Sequence, residues 1–369
     1  MEELYERLKK HRIRFYPGQK QRFRDAMTSE FNELGYDDVT VDKAKNMIIG
    51  DVHNAKVVYT AHYDTPMFSP WFLFARVFGH LIGGVVFGSF VMLAAIAVVA
   101  AGIGIVLEGL VTGEFLTFAE PLYFMVSLFV LFILSFVIPS PGNANDNTSG
   151  VLAVYEVARR LKERGMEKDA AFILFNNEEL GLLGSSAFKS ELMNAAKSKH
   201  GKGASKAIWT WLAAVIVGFA IALPIEVMGY ENFTFVGALV GIVGTLLVIA
   251  SVGAKMEFKS GRYPKFALIN FDCVGVGDRV MLGYASANGK KICERFVDKF
   301  PYPVDVKRGN ILTAGSDHLN FKNNGIGVFV TKRSYFGPLY LPRVHNPFNM
   351  KADLGVIKNI CESVLDVEF

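Results

Sequence analysis

From Val77 to Leu107 the chain runs without one Asp, Glu, Lys or Arg, which is longer than the roughly 20 residues that carry a helix across a bilayer. Further apolar runs follow from Pro121 to Ile138, Ile208 to Met228 and Phe233 to Gly253. Hydrophobic residues make up 51% of the 369, more than an ordinary soluble domain of this size carries. Four transmembrane helices, paired as two hairpins, are therefore expected. Gly84 with Gly88 and Gly237 with Gly241 have the spacing that lets such helices approach closely. Basic residues set the orientation. The connection from Glu108 to Glu120 holds glutamates and no Lys or Arg, whereas Arg76, Lys197, Lys206, Lys255 and Arg262 flank the other side. The positive-inside rule then places that side in the cytoplasm. The expectation is a multi-pass integral membrane protein with its polar domain and both termini cytoplasmic.

That polar domain is expected in three parts, 1–70, 139–207 and 255–369, separated by hairpins at 71–138 and 208–254. Residues Phe23, Met27, Phe31 and Leu34 recur at helical spacing, and Gly35 follows as a stop, which predicts a helix over 18–34. Short β-like runs come at 39–41, 47–49 and 56–60. A second helix is expected over 149–164, strands over 170–175, 266–271 and 328–331, and a last helix over 353–368. Strands alternating with helices predict an α/β fold: a mixed, largely parallel sheet sandwiched by helices. The N-terminus is charged and amphipathic with no apolar core, so no secretory signal peptide is expected. Three widely spaced cysteines suggest neither a disulfide framework nor a CxxC zinc site. Basic residues gather at the flanks of apolar runs and not on one aromatic-laced surface, so nucleic-acid binding has no support.

The polar residues that end the apolar runs are the candidate chemistry. His62 and Asp64 follow KVVYTA, Asp146 lies in the loop NANDNTSG, Glu178 and Glu179 follow AAFILFNN, Asp272 follows FALINF, and His345 lies in RVHNPF. Each alone has a plain reading as a cap, a turn or a solvated charge. Together they supply imidazoles and carboxylates of the kinds zinc prefers. Charges seldom gather at strand ends without a partner, because burying one unpaired costs several kcal/mol, as an order of magnitude.

AHYDTP, NDNTSG, FNNEELGLLGS, NFD, GSDHLNF and VHNPF stand in the order found in the di-zinc aminopeptidases of metallopeptidase family 28, which the chain resembles. That family is similar to glutaminyl cyclases and to glutamate carboxypeptidase ectodomains; the apolar insertions are not part of its usual pattern. The resemblance implies two zinc ions, His62 and Asp272 holding one, Glu179 and His345 the other, and Asp146 bridging them. It implies Asp64 behind His62, fixing the ring, and Glu178 as general base toward a metal-activated water. His318, in GSDH, is a competing ligand, with Asp317 and His318 otherwise shaping the pocket wall. Asn349 stands where the family often has an acid.

The function so implied is a membrane-embedded zinc aminopeptidase acting on peptide or protein N-termini, apolar or membrane-delivered, with the lipid bilayer as its other partner. The alternatives are acyl transfer of the glutaminyl cyclase kind and a non-catalytic membrane scaffold on a peptidase fold.

Overall fold

The structure, a computed structural model, describes residues 1–67, 76–79, 138–192, 265–309, 315–345 and 348–367. All belong to one compact unit formed by Met1–Phe90, Leu131–Met193 and Tyr263–Phe369. A second unit, Val91–Val130 with Asn194–Arg262, lies outside the described residues.

The described unit is built on a nine-stranded sheet. Its strands are β1 (Val39–Val41), β2 (Met47–Ile49), β3 (Val57–His62), β4 (Ala170–Phe175), β5 (Ala267–Phe271), β6 (Arg279–Tyr284), β7 (Val304–Arg308), β8 (Gly325–Arg333) and β9 (Leu339–Tyr340). They lie in the order β1-β2-β4-β3-β5-β8-β6-β7, with β9 on β8. The central pairs β4–β3, β3–β5 and β5–β8 are parallel, and β1–β2, β2–β4 and β6–β8 are antiparallel.

The central strands are unbroken apolar runs because both of their faces are covered. Along β4, Ala170, Phe172 and Leu174 enter one core cluster, and Ala171, Ile173 and Phe175 enter the other, as the two-residue repeat of a strand requires. The first face is closed by helices α2 (Pro17–Glu33), α3 (Ser149–Glu163) and α6 (Leu354–Leu365), the second by α4 (Leu183–Leu192) and the turn carrying Phe321. Helices α1 (Glu2–Leu8) and α5 (Ala287–Glu294) complete the described set. Phe172 is fully buried among Phe31, Tyr36 and Tyr59, where truncation to Ala costs about 3–5 kcal/mol. Helix α2 starts at Tyr16, whose backbone N–H donates to Gln19 Oε1 at 3.0 Å, with Pro17 in the first helical position. It ends before Gly35, held at φ 82°, which glycine adopts without strain.

The expectation of membrane spans is corrected for the described residues. No helix among the described residues is long and apolar enough to cross a membrane. The longest of them, α2 at 17 residues, is short of a span and carries Lys20, Arg22, Arg24 and Asp25, charges that a bilayer core does not tolerate. The runs at 77–107, 121–138, 208–228 and 233–253 lie outside the described residues except at 77–79 and 138. Among the described residues the fold class is corrected to the mixed α/β sheet with its helices, with no transmembrane hairpin. The multi-pass, cytoplasmic-facing placement was derived by orienting those spans, and it falls with them.

Candidate metal centre

Parallel register brings the candidate residues to one edge. His62 at the end of β3 is paired with Phe175 at the end of β4, so the chain leaving β4 carries Glu178 and Glu179 past it. Thr60 pairs with Asn270 on the other side, and two steps further along both strands lie His62 and Asp272. The carboxyl ends of parallel strands are where open α/β sheets place their sites.

Asp146 arrives from the loop before α3, and the amides of that loop explain how. Asn147 donates from Nδ2 to the Phe271 carbonyl at 3.0 Å and accepts at Oδ1 from Gly150 N–H at 2.9 Å. Asn145 donates from Nδ2 to the Pro342 carbonyl and accepts at Oδ1 from Gly275 N–H, each at 2.8 Å. Asn143 donates to Thr65 Oγ1 at 2.8 Å. The loop is thereby tied to the end of β5, to the segment bearing His345 and to the residue after Asp64. Asn349 serves the same loop, its Oδ1 accepting from Asn145 N–H at 2.6 Å.

All seven predicted site residues gather here. His62 Nε2 lies 3.3 Å from Asp146 Oδ1 and 3.6 Å from Asp272 Oδ1. His345 Nε2 lies 3.6 Å from Asp146 Oδ2 and 3.1 Å from Glu179 Oε2. Each oxygen of Asp146 thus faces a different histidine. Ligand atoms of His62, Asp146 and Asp272 lie within 4.8 Å of one another, as do those of Asp146, Glu179 and His345, and those of His62, Glu178 and Glu179. Asp64 accepts backbone N–H bonds from Glu178 at 3.0 Å and Glu179 at 3.2 Å, and its Oδ1 stands 3.5 Å from His62 Nδ1. His318 joins none of these groups. It is buried against Phe329, and burial pushes its pKa down to about 4.

The centre is strongly anionic. Burial, opposed by His62 and reinforced by Glu179 and Asp272, pushes Glu178 well above the carboxylate range. Burial pushes Glu179 up to about 7 against the opposing pull of His345. Burial works against a charge on His345, but Glu179 beside it prevails and raises it to about 9. Asp272 Oδ1 is buried with no hydrogen bond. Crowded carboxylates interleaved with imidazoles, one oxygen left without a donor, fit a site built for cations.

One contributor carries no signal in the sequence. Arg14 is fully buried and donates from Nε to the Tyr63 carbonyl and from Nη1 to Thr148 Oγ1 at 3.0 Å, bracing the Asp64 and Asp146 segments together. Burial lowers its pKa to about 9, with Asp64 and Asp146 holding it up. It stands in HRIRF, where neighbouring basic residues look the same on paper.

Residues 134–349 match the sequence profile of peptidase family M28. The chain belongs to peptidase family M28. Aminopeptidase YwaD of Bacillus subtilis (strain 168) is 53% identical over 53 residues, a match spanning 14% of this chain and 11% of that relative. Among solved structures, a Zn-dependent exopeptidase from Parabacteroides distasonis is similar over 98% of this chain and 94% of its own, at 11% identity and a TM-score of 0.49. Bacteroides thetaiotaomicron glutaminyl cyclase is similar over the same shares, at 13% identity and a TM-score of 0.48. Likeness at this level does not separate one activity from another.

Proposed function

We propose that this M28 chain is a zinc-dependent aminopeptidase that hydrolyses the first peptide bond of peptides or protein N-termini at a centre of two zinc ions. The observation that carries the reading is Asp146, buried, with one oxygen toward His62 and Asp272 and the other toward His345 and Glu179. His62 with Asp272 would hold one ion, His345 with Glu179 the other, and Asp146 both. Zinc bound there supplies a Lewis acid and lowers the pKa of water.

Glu178 is the group placed to take a proton from the attacking water and give it to the leaving amine. Asp64 fixes the backbone on which Glu178 and Glu179 sit, and its carboxylate, 3.5 Å from His62 Nδ1, would orient that ring once a metal is held.

Mass spectrometry of products from a mixed peptide library, some members N-terminally blocked, tests the reading with the protein and Glu178→Gln. Loss of single N-terminal residues from unblocked members only, absent in the variant, is expected. Loss of ammonia in place of residues moves the assignment to acyl transfer, and unchanged peptides with zinc bound overturn the hydrolase. Metal analysis is expected to find two zinc ions per chain.

A further inference from the structure

A cavity of about 700 Å³ opens beside the metal centre, with Asp64 and Glu179 in its wall and helix α2 opposite them. From α2 it receives Lys20 and Arg24, which are only 8% and 6% exposed. Neither nitrogen head group has a carboxylate within 4.0 Å among the described residues. Their hydrogen bonds go to neutral oxygens: Lys20 Nζ to Asn177 Oδ1 at 2.5 Å, Arg24 Nη1 to Tyr63 Oη at 2.7 Å and Nη2 to Gln21 Oε1. The two acids of the wall are already engaged. Asp64 accepts from the Glu178 and Glu179 backbone, and Glu179 faces His345. Lys45 adds a third, exposed cation at the rim.

Burying a cation with no carboxylate within ion-pair distance is costly, and Asp64 and Glu179 act on Lys20 only from beyond that distance. Such cations make sense where an anion arrives. We propose that this cavity is a carboxylate-binding subsite in which Lys20 and Arg24 hold an anionic group of the substrate. Phe15, Met67 and Leu180 supply apolar wall to the same cavity, suited to the methylenes that carry a carboxylate. Glu179 borders both the cavity and the centre, which makes the cavity a neighbour of any substrate seated there. The inference rests on the aminopeptidase reading. The carboxylate has two possible sources: the side chain of an N-terminal Asp or Glu, or the free C-terminus of a short peptide.

The test compares kcat/KM within two matched pairs, for the wild type, Lys20→Gln and Arg24→Gln. One pair has N-terminal Glu or Gln on a C-terminally amidated peptide, and the other is a neutral dipeptide with a free or amidated C-terminus. At least a tenfold preference for the carboxylate-bearing member is expected in one pair, and that pair identifies the source. The ratio is expected to fall toward one in both variants and to be kept in Lys20→Arg, which preserves the charge. No preference in either pair, or a preference that survives in both Gln variants, overturns the subsite. Should no peptide be cleaved, the aminopeptidase reading fails, and calorimetry with glutarate and glutaramide still decides the cavity. Glutarate is expected to bind at least fivefold tighter, with the margin lost in Lys20→Gln; equal affinity, or a margin unchanged in the variant, overturns it.

Discussion

Asp64→Asn exchanges one buried oxygen for an amide nitrogen at the point where the strand ends meet. Oδ1 and Oδ2 of Asp64 receive the Glu178 and Glu179 N–H groups at 3.0 and 3.2 Å. Asparagine keeps a single acceptor, so one of those N–H groups meets an NH₂ donor and is left buried and unpaired. Losing one hydrogen bond to a charged group costs about 1.5–3 kcal/mol, or about 10- to 150-fold in an equilibrium constant. The His62 ring, 3.5 Å from Oδ1, also loses its carboxylate. Zinc affinity, read by competition with a chromophoric chelator at fixed pH, is expected to fall by that factor. At saturating zinc, kcat/KM is expected to fall too, because Glu178 and Glu179 hang on the disturbed backbone. Asp64→Ala removes both acceptors and is expected to fall further. Wild-type zinc affinity and kcat/KM in Asp64→Asn would refute the role given to this carboxylate.

Gly150→Ala puts a methyl 2.5 Å from the Phe271 carbonyl oxygen and closer still to Asn147 Oδ1; a loss of about 1–3 kcal/mol is expected in denaturant unfolding, together with weaker zinc binding. Asp353 caps α6 by accepting from Gly355 and Val356 N–H at 2.9 and 3.2 Å, so Asp353→Ala is expected to cost about 1 kcal/mol in the same assay, with zinc affinity unchanged. In zinc-stripped protein, Glu179 with its pKa pushed up to about 7 and His345 pushed up to about 9 hold protons that the unfolded chain has released. The folded state then binds more protons than the unfolded one, so stability falls as pH rises through those values. The thermal midpoint of the stripped protein is expected to drop as the pH is raised from about 6 to about 9. Zinc competes with the same protons and is expected to reverse the trend; a midpoint that holds or climbs in the stripped protein sinks this account.

The centre of the sheet was legible because β3, β4 and β5 are covered on both faces and read as unbroken apolar runs. Strands β6 and β7 were not, since Arg279, Asp305 and Lys307 interrupt the pattern toward the sheet's far side. Most of the site residues stood out because they follow apolar runs, whereas His345, in RVHNPF, was legible only through the family resemblance. Arg14, Lys20 and Arg24 did not stand out, lying in a stretch where Arg22 is exposed and Arg24 is buried; only packing separates them. Run length and hydropathy were the weaker guide, because they register apolar composition alone. The spans they predict have no counterpart among the described residues.

The composition of NANDNTSG follows from what the centre already contains. Asp64, Asp146, Glu178, Glu179 and Asp272, with buried Asp317 acting on them from beside the centre, leave no room for further charge without further cations. Positioning must then come from groups that donate and accept without ionising, and amides do both. Asn145 and Asn147 each use donor and acceptor together, so each cross-links two segments at no electrostatic cost. The same reasoning covers Asn349, where an acid is common in the family. Its Oδ1 receives the Asn145 N–H, a bond that aspartate would also accept, but only by adding another carboxylate to the buried centre. The bridging position of Asp146 therefore depends on neutral amides around it as much as on the acid itself.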